Sequence, residues 1–163
     1  MSQALPDMRL DGKIAFISGA GSGIGRALAL GMAASGATIA MSETSARLSV
    51  LDEVSAEIGQ AGGESLAVAL DLPRLESIDA AVDAVIRRFG RVDILVNNAG
   101  VNRPNPAFEV TEAEWDEVLN VNLKAVFVAC REVARPMLRA RAGRIINITS
   151  VVGLTGNAGQ VNY

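Results

Sequence analysis

Tyr163 is the single tyrosine of this chain, and Ser150 lies 13 residues before it. A phenol can give a proton to a forming alkoxide when a nearby cation lowers its pKa from about 10. A serine hydroxyl can hold the same oxygen. Taken singly, each can also be an ordinary loop residue. The chain has no histidine. That removes Ser-His-Asp hydrolysis, Cys-His proteolysis and histidine-ligated metals together, so no metal site is expected.

A second chemical feature is Ser18-Gly19-Ala20-Gly21-Ser22-Gly23-Ile24-Gly25, which follows the apolar run Ile14-Ala15-Phe16-Ile17. A strand that stops at glycines and turns into a helix presents bare backbone N–H groups at a helix N-terminus. The helix dipole there favours a phosphate, and glycine permits close approach. The spacing is G-x-x-x-G-x-G (Gly19, Gly23, Gly25) rather than G-x-G-x-x-G. No Gly-Lys-Ser/Thr follows, so the loop is not a P-loop. A glycine-rich turn without a ligand is the other reading.

Further polar residues recur where strands are expected to end. Glu43 stands about 20 residues past the glycine loop, where an acid can accept from an adenosine ribose and repel a 2′-phosphate. With Ser22 in the loop where a basic residue could have paired with that phosphate, this argues for NAD over NADP. Glu43 can equally be a solvated charge opening a helix. Asp71, with Leu72 beside it, can accept from an adenine amino group, cap the next helix, or do both. Asn97-Asn98-Ala99-Gly100 can be a cofactor wall or a plain turn. Asn122 is polar within an apolar helical stripe and needs partners whatever its role.

The elements that must position these residues alternate. Strands are expected at 14–18, 37–42, 65–70, 92–96 and 144–149. Helices are expected at 24–35, 45–60 and 73–89, with a long one at 111–135. Gly36 and Gly90 serve as stops. Thr111 and Glu114 form a capping box, and Pro136 either bends or ends the long helix. Residues 1–12 read as a lead-in and 150–159 as a loop. Such alternation implies an α/β fold: a Rossmann-type doubly wound parallel sheet with helices on both faces, in one domain over 1–163. Ligands in such sheets lie beyond the carboxyl ends of the strands, where the glycine loop, Glu43, Asp71, Asn98 and Ser150 all fall.

The totals agree. Half of the 163 residues are apolar and few are aromatic, which suits buried parallel strands. A net charge of −3 gives no electrostatic case for nucleic acid or an anionic membrane. Cys130 is the single cysteine, so no disulfide framework is expected. With no signal-length apolar run at the start and no membrane span, the expected compartment is the cytoplasm.

Together Ser18-Gly19-(x)3-Gly23-Ile24-Gly25, Asp71, Asn97-Asn98-Ala99-Gly100, Asn122, Ser150 and Tyr163 resemble the short-chain dehydrogenase/reductase family, from about Leu10 onward. The loop Gly156-Asn157-Ala158-Gly159-Gln160-Val161-Asn162-Tyr163 is similar to that of the 3-oxoacyl-carrier-protein reductase branch. Polyol and sugar dehydrogenases have similar loops. The resemblance implies an NAD(P)-dependent oxidoreductase that moves a hydride between nicotinamide and a secondary alcohol or ketone. Gly19, Gly23 and Gly25 would hold the pyrophosphate, Asp71 the adenine, and Asn98 with Gly100 the rest of the cofactor. Ser150 would orient the substrate oxygen, Tyr163 would be the acid/base, and Asn122 would hold a water in the proton relay. The family's lysine stands four residues past the tyrosine, beyond Tyr163. The sequence is therefore expected to be the N-terminal two-thirds of an enzyme whose last strands lie outside it. The long helix would pair copies into a dimer or tetramer. The competing expectation is a non-catalytic dinucleotide-binding module or inactive fragment.

Overall fold

A computed structural model describes residues 8–163, so the expected lead-in at 1–12 falls partly outside the described residues. The apolar runs form five parallel strands: β1 (Ile14–Ser18), β2 (Thr38–Glu43), β3 (Ser65–Ala69), β4 (Ile94–Asn97) and β5 (Arg144–Asn147). Their order is β3-β2-β1-β4-β5. The chain thus winds outward from β1 in one direction and then returns to add β4 on its other side. That reversal is the point where an open parallel sheet makes a crevice.

Alternation along the strands divides the core. Ile14 and Phe16 of β1 pack with Leu95, against α3 (Leu75–Phe89) and α5 (Ala125–Ala140). Ala15 and Ile17 point the other way with Ile39, Met41 and Val96, against α1 (Gly23–Ala34) and α2 (Val50–Gln60). Period-2 side-chain alternation makes one strand serve both layers. Helices on both faces of a parallel sheet are therefore present as expected.

Several boundaries differ from the sequence reading. The helix expected at 45–60 divides into a 3-10 turn at Ser45–Arg47 and α2. The helix expected at 73–89 begins at Leu75, with Arg74 as its N-cap and no side-chain cap. Asp71 therefore does not cap it. Instead the Asp71 N–H donates to Ser77 Oγ at 2.8 Å, so the helix reaches back to the strand end. Pro136 lies within α5, which runs on to Ala140. The long helix is three pieces: α4 (Glu112–Leu119), a π turn (Asn120–Lys124) and α5. Trp115, in the first turn of α4, is exposed, while Val118 one turn on is buried. The expected 150–159 loop contains a short helix, α6 (Val152–Thr155). At the edge of the sheet, all four residues of β5 are exposed, Ile145 and Ile146 included.

Gly90 stops α3 at φ +83°, a left-handed conformation that suits a residue without Cβ. The capping box is present: Thr111 Oγ1 accepts from Glu114 N–H at 3.2 Å, and Glu114 Oε2 accepts from Thr111 N–H at 2.9 Å. These bonds from the Thr111 backbone and hydroxyl hold the Glu114 carboxyl below the ordinary carboxylate range.

Two stability outcomes are expected. Leu95 is 1% exposed in the centre of β4, and Leu95→Ala should cost about 2–5 kcal/mol in a denaturant titration. The capping contribution of Glu114 is complete above the unfolded carboxylate pKa and is lost as pH falls through the lower folded value. The stability gap between the parent chain and Glu114→Gln should therefore close on acidification, as read by unfolding curves at stepped pH.

Candidate functional site

The site begins where β1 and β4 part. Their pairing runs from Ala15–Ile94 to Ile17–Val96, and past it a polar clasp takes over. Ser18 Oγ accepts from the N–H groups of Asn98 and Ala99, each at 3.1 Å, and donates to Val96 O at 3.4 Å. Asn98 Nδ2 donates to Ser18 O at 3.0 Å and to Gly19 O at 3.1 Å. Ser18 was expected among the cofactor-binding residues. Its hydroxyl is instead used wholly inside the protein, and the side chain is buried. It shapes the loop rather than facing a ligand.

Gly25 completes the clasp. A Cβ there would collide with the Gly19 carbonyl oxygen and the Asn98 amide, so the first turn of α1 lies directly on the loop. Gly23 differs: it has φ +55° and open space around its missing side chain. The N-cap of α1, Ser22, makes no side-chain capping bond, and the first turn has no acidic residue. The first N–H groups of α1 thus have no side-chain cap, whereas α4 closes its own end.

A cavity of ≈ 470 Å³ opens above this end. Gly19, Ser22, Glu43, Asp71, Leu72, Asn98 and Gly100, all expected from sequence, line it. Glu43 leans back over the loop: Oε1 accepts from Gly21 N–H at 3.3 Å, and Oε2 lies 3.9 Å from Arg47 Nε. Its side chain is 10% exposed against 54% for Arg47, so it is not the freely solvated charge of the alternative reading.

A second cavity, of ≈ 450 Å³, brings together Ser150, Tyr163 and Asn122, with Ile24 at its rim. Asn98, Ala99 and Gly100 line both cavities and are their common wall. Asn122 sits in the π turn, and its amide is paired with one residue: Oδ1 accepts from Val101 N–H at 2.9 Å and Nδ2 donates to Val101 O at 2.8 Å. Its side chain thus holds Val101 from both sides of its peptide chain. A Cβ at Gly100 would lie 3.1 Å from Asn122 Oδ1, a tight contact to which that side chain would have to yield. Asn97, on the opposite side of β4's end, donates to Asn147 Oδ1 at 2.8 Å and ties β5 to the sheet.

Sequence reasoning missed Arg47, Glu117 and Val121, which also line the first cavity. Arg47 sits four residues past Glu43, a spacing that offered a signal. Glu117 had none, because its place depends on how the 101–110 loop folds onto α4. A larger cleft of ≈ 630 Å³, at the Gly36 and Gly62–Glu64 turns, holds none of the expected site residues.

The profile of the short chain dehydrogenase family matches residues 13–163. The 3-oxoacyl-(acyl-carrier-protein) reductase FabG of Vibrio cholerae is 43% identical over 159 residues, covering 96% of this chain and 62% of that protein. Its counterpart from Thermotoga maritima is 41% identical over 156 residues, with 96% and 63% covered. Among solved structures, a metagenomic short-chain oxidoreductase in complex with NADP superposes with a TM-score of 0.90 at 38% identity, over 94% of this chain and 69% of that one. Levodione reductase gives 0.89 at 34% identity, over 95% and 60%. The chain spans about 62% of the length of the curated relatives it matches. The match over residues 13–163, with the glycine loop, the Asn98 clasp and the Ser150–Tyr163 cavity in place, makes this chain a member of the short-chain dehydrogenase family.

Proposed function

We propose that the complete protein is an NAD-dependent oxidoreductase acting on a secondary alcohol or ketone, of 3-oxoacyl or of polyol or sugar type. One observation carries this reading: the cavity with Ser150 and Tyr163 shares the Asn98–Gly100 wall with the cavity over the open α1 N-terminus. A dinucleotide in the first would place its nicotinamide end beside the second. The relatives named as 3-oxoacyl reductases and the neighbour solved with NADP support the reaction class.

The residues divide the work as follows. Gly19, Gly23 and Gly25 let the pyrophosphate approach the backbone donors of α1. Asp71 and Leu72 border the adenine end, and Asn98 and Gly100 line the middle. Nicotinamide, when bound, supplies or accepts the hydride. Ser150 holds the substrate oxygen, and Tyr163 gives or takes its proton. Asn122 lines the same cavity as Ser150 and Tyr163 and, with its amide paired to Val101, would hold a relay water through its main chain. Glu43 supports NAD over NADP: its carboxylate lines the first cavity at the end of β2, and an acid there accepts from a ribose hydroxyl and repels a 2′-phosphate. Arg47, at 3.9 Å from that carboxylate, is the observation favouring NADP as the second reading.

The proposed setting is the cytoplasm. Among the described residues, no helix is long and apolar enough to cross a membrane. Exposed Leu123 and Phe127 on the long helix support assembly into a dimer or tetramer.

Three outcomes are expected in the complete natural protein. Tyr163→Phe should lower kcat about a hundredfold to ten-thousandfold while leaving dinucleotide binding near its parent value, as checked by steady-state kinetics and fluorescence titration. Gly25→Ala should weaken dinucleotide binding about tenfold or more and destabilise the fold by about 1–3 kcal/mol. Glu43→Ala should move the NADP-to-NAD ratio of kcat/KM about tenfold or more towards NADP; an unchanged ratio would remove Glu43 as the discriminator.

A further inference from the structure

Asn162 is the buried side chain of the 156–163 segment, at 5% exposure, while its neighbours Val161 and Tyr163 are exposed. An amide in that place is costly unless bonded. Its Nδ2 donates to two main-chain carbonyls, Arg103 O and Glu114 O, each at 3.4 Å. Two acceptors on the same side fix which end of the amide faces them. Oδ1 has no partner. An apolar side chain would fill the space without an orphaned acceptor, so stability alone does not explain an amide here. What the amide does that an apolar group cannot is join two separate segments to the turn that carries Tyr163.

Both acceptors sit on firm supports. Arg103 forks onto Glu117 of α4, Nε to Oε2 at 2.8 Å and Nη2 to Oε1 at 2.6 Å, a bidentate pair. Glu114 is the third residue of the α4 capping box. Asn105 N–H, from the same loop as Arg103, donates to Gly159 O at 2.8 Å and holds the start of the turn. Tyr163 itself bonds back through its N–H to Gln160 O at 3.1 Å. With Asn162 turned inward, the next side chain turns outward, into the cavity with Ser150 and Asn122.

We propose that Asn162 is a positioning residue for Tyr163: its buried amide hangs the turn bearing the phenol from α4 and the 101–110 loop. This rests on the reading of Tyr163 as the acid/base. The test uses Asn162→Ala, Asn162→Ser and Asn162→Asp in the complete natural protein, beside Tyr163→Phe. Aspartate keeps the shape but sets a carboxylate against two carbonyls. The Ala and Asp variants should lower kcat about tenfold or more, with the KM for dinucleotide within about twofold of the parent and a displaced pH profile of kcat. Ser, which retains a donor, should recover part of the loss. Folded Ala and Asp variants with parent kcat and pH profile would overturn the proposal, provided Tyr163→Phe is inactive. So would a loss expressed equally in dinucleotide KM, or failure of all three variants to fold, since each marks a purely structural role. Parent-level turnover by Tyr163→Phe would instead bring down the reading on which the proposal rests.

Discussion

The structure depends on the hydrogen-bonded clasp between Ser18 and Asn98. Parallel strands that diverge expose main-chain donors and acceptors that had been paired, and buried backbone groups without partners are costly. At the end of β1 and β4 those groups are met by one hydroxyl and one amide. Ser18 Oγ takes two N–H groups from the β4 side, and Asn98 Nδ2 takes two carbonyls from the β1 side. The crevice can open because its two lips are satisfied before any ligand arrives. Gly25 then rests on the clasp at a distance that no Cβ permits. The direction of α1, and so of its unsatisfied N-terminus, is set by the same few atoms.

The two helix starts bordering the site show opposite solutions to one problem. Every α-helix begins with unpaired N–H groups. At α4 the chain satisfies them with Thr111 and Glu114. At α1 the cap residue makes no such bond. The capped helix serves as scaffold, for the 101–110 loop through Arg103–Glu117 and for the turn at Asn162. The uncapped helix is kept available.

Much of this was legible in the sequence, for identifiable reasons. Glycine stops, apolar runs and polar residues at strand ends follow from backbone sterics and burial, so sheet, layers and cavity linings could be read locally. What escaped depended on tertiary context. Ser18 sits in the glycine motif like a ligand residue, yet the approach of β4 turns its hydroxyl inward. A π turn changes the helical register by a single residue, which leaves the apolar spacing at 111–135 almost unaltered. Asn122's partner, Val101, lies 21 residues away and could not be named from that spacing. Asn162 read as loop because its acceptors come from residues 48 and 59 positions away.

The Asn98–Gly100 wall belongs to both cavities, so under the proposed function binding and chemistry share one support. Its first residue bonds to the glycine loop, and its last lies against the Asn122 side chain. Asn122 in turn grips Val101, from which the chain runs to Arg103 and the carbonyl that accepts from Asn162. One continuous stretch, residues 98–103, therefore touches the glycine loop, the π turn and the segment bonded to Asn162. A shift of that stretch would move the wall that the two cavities share. Misplacement of about 1 Å is enough to cost a reaction about a hundredfold. The dense hydrogen bonding of these six positions is thus best understood as a constraint on geometry, with its contribution to stability a by-product.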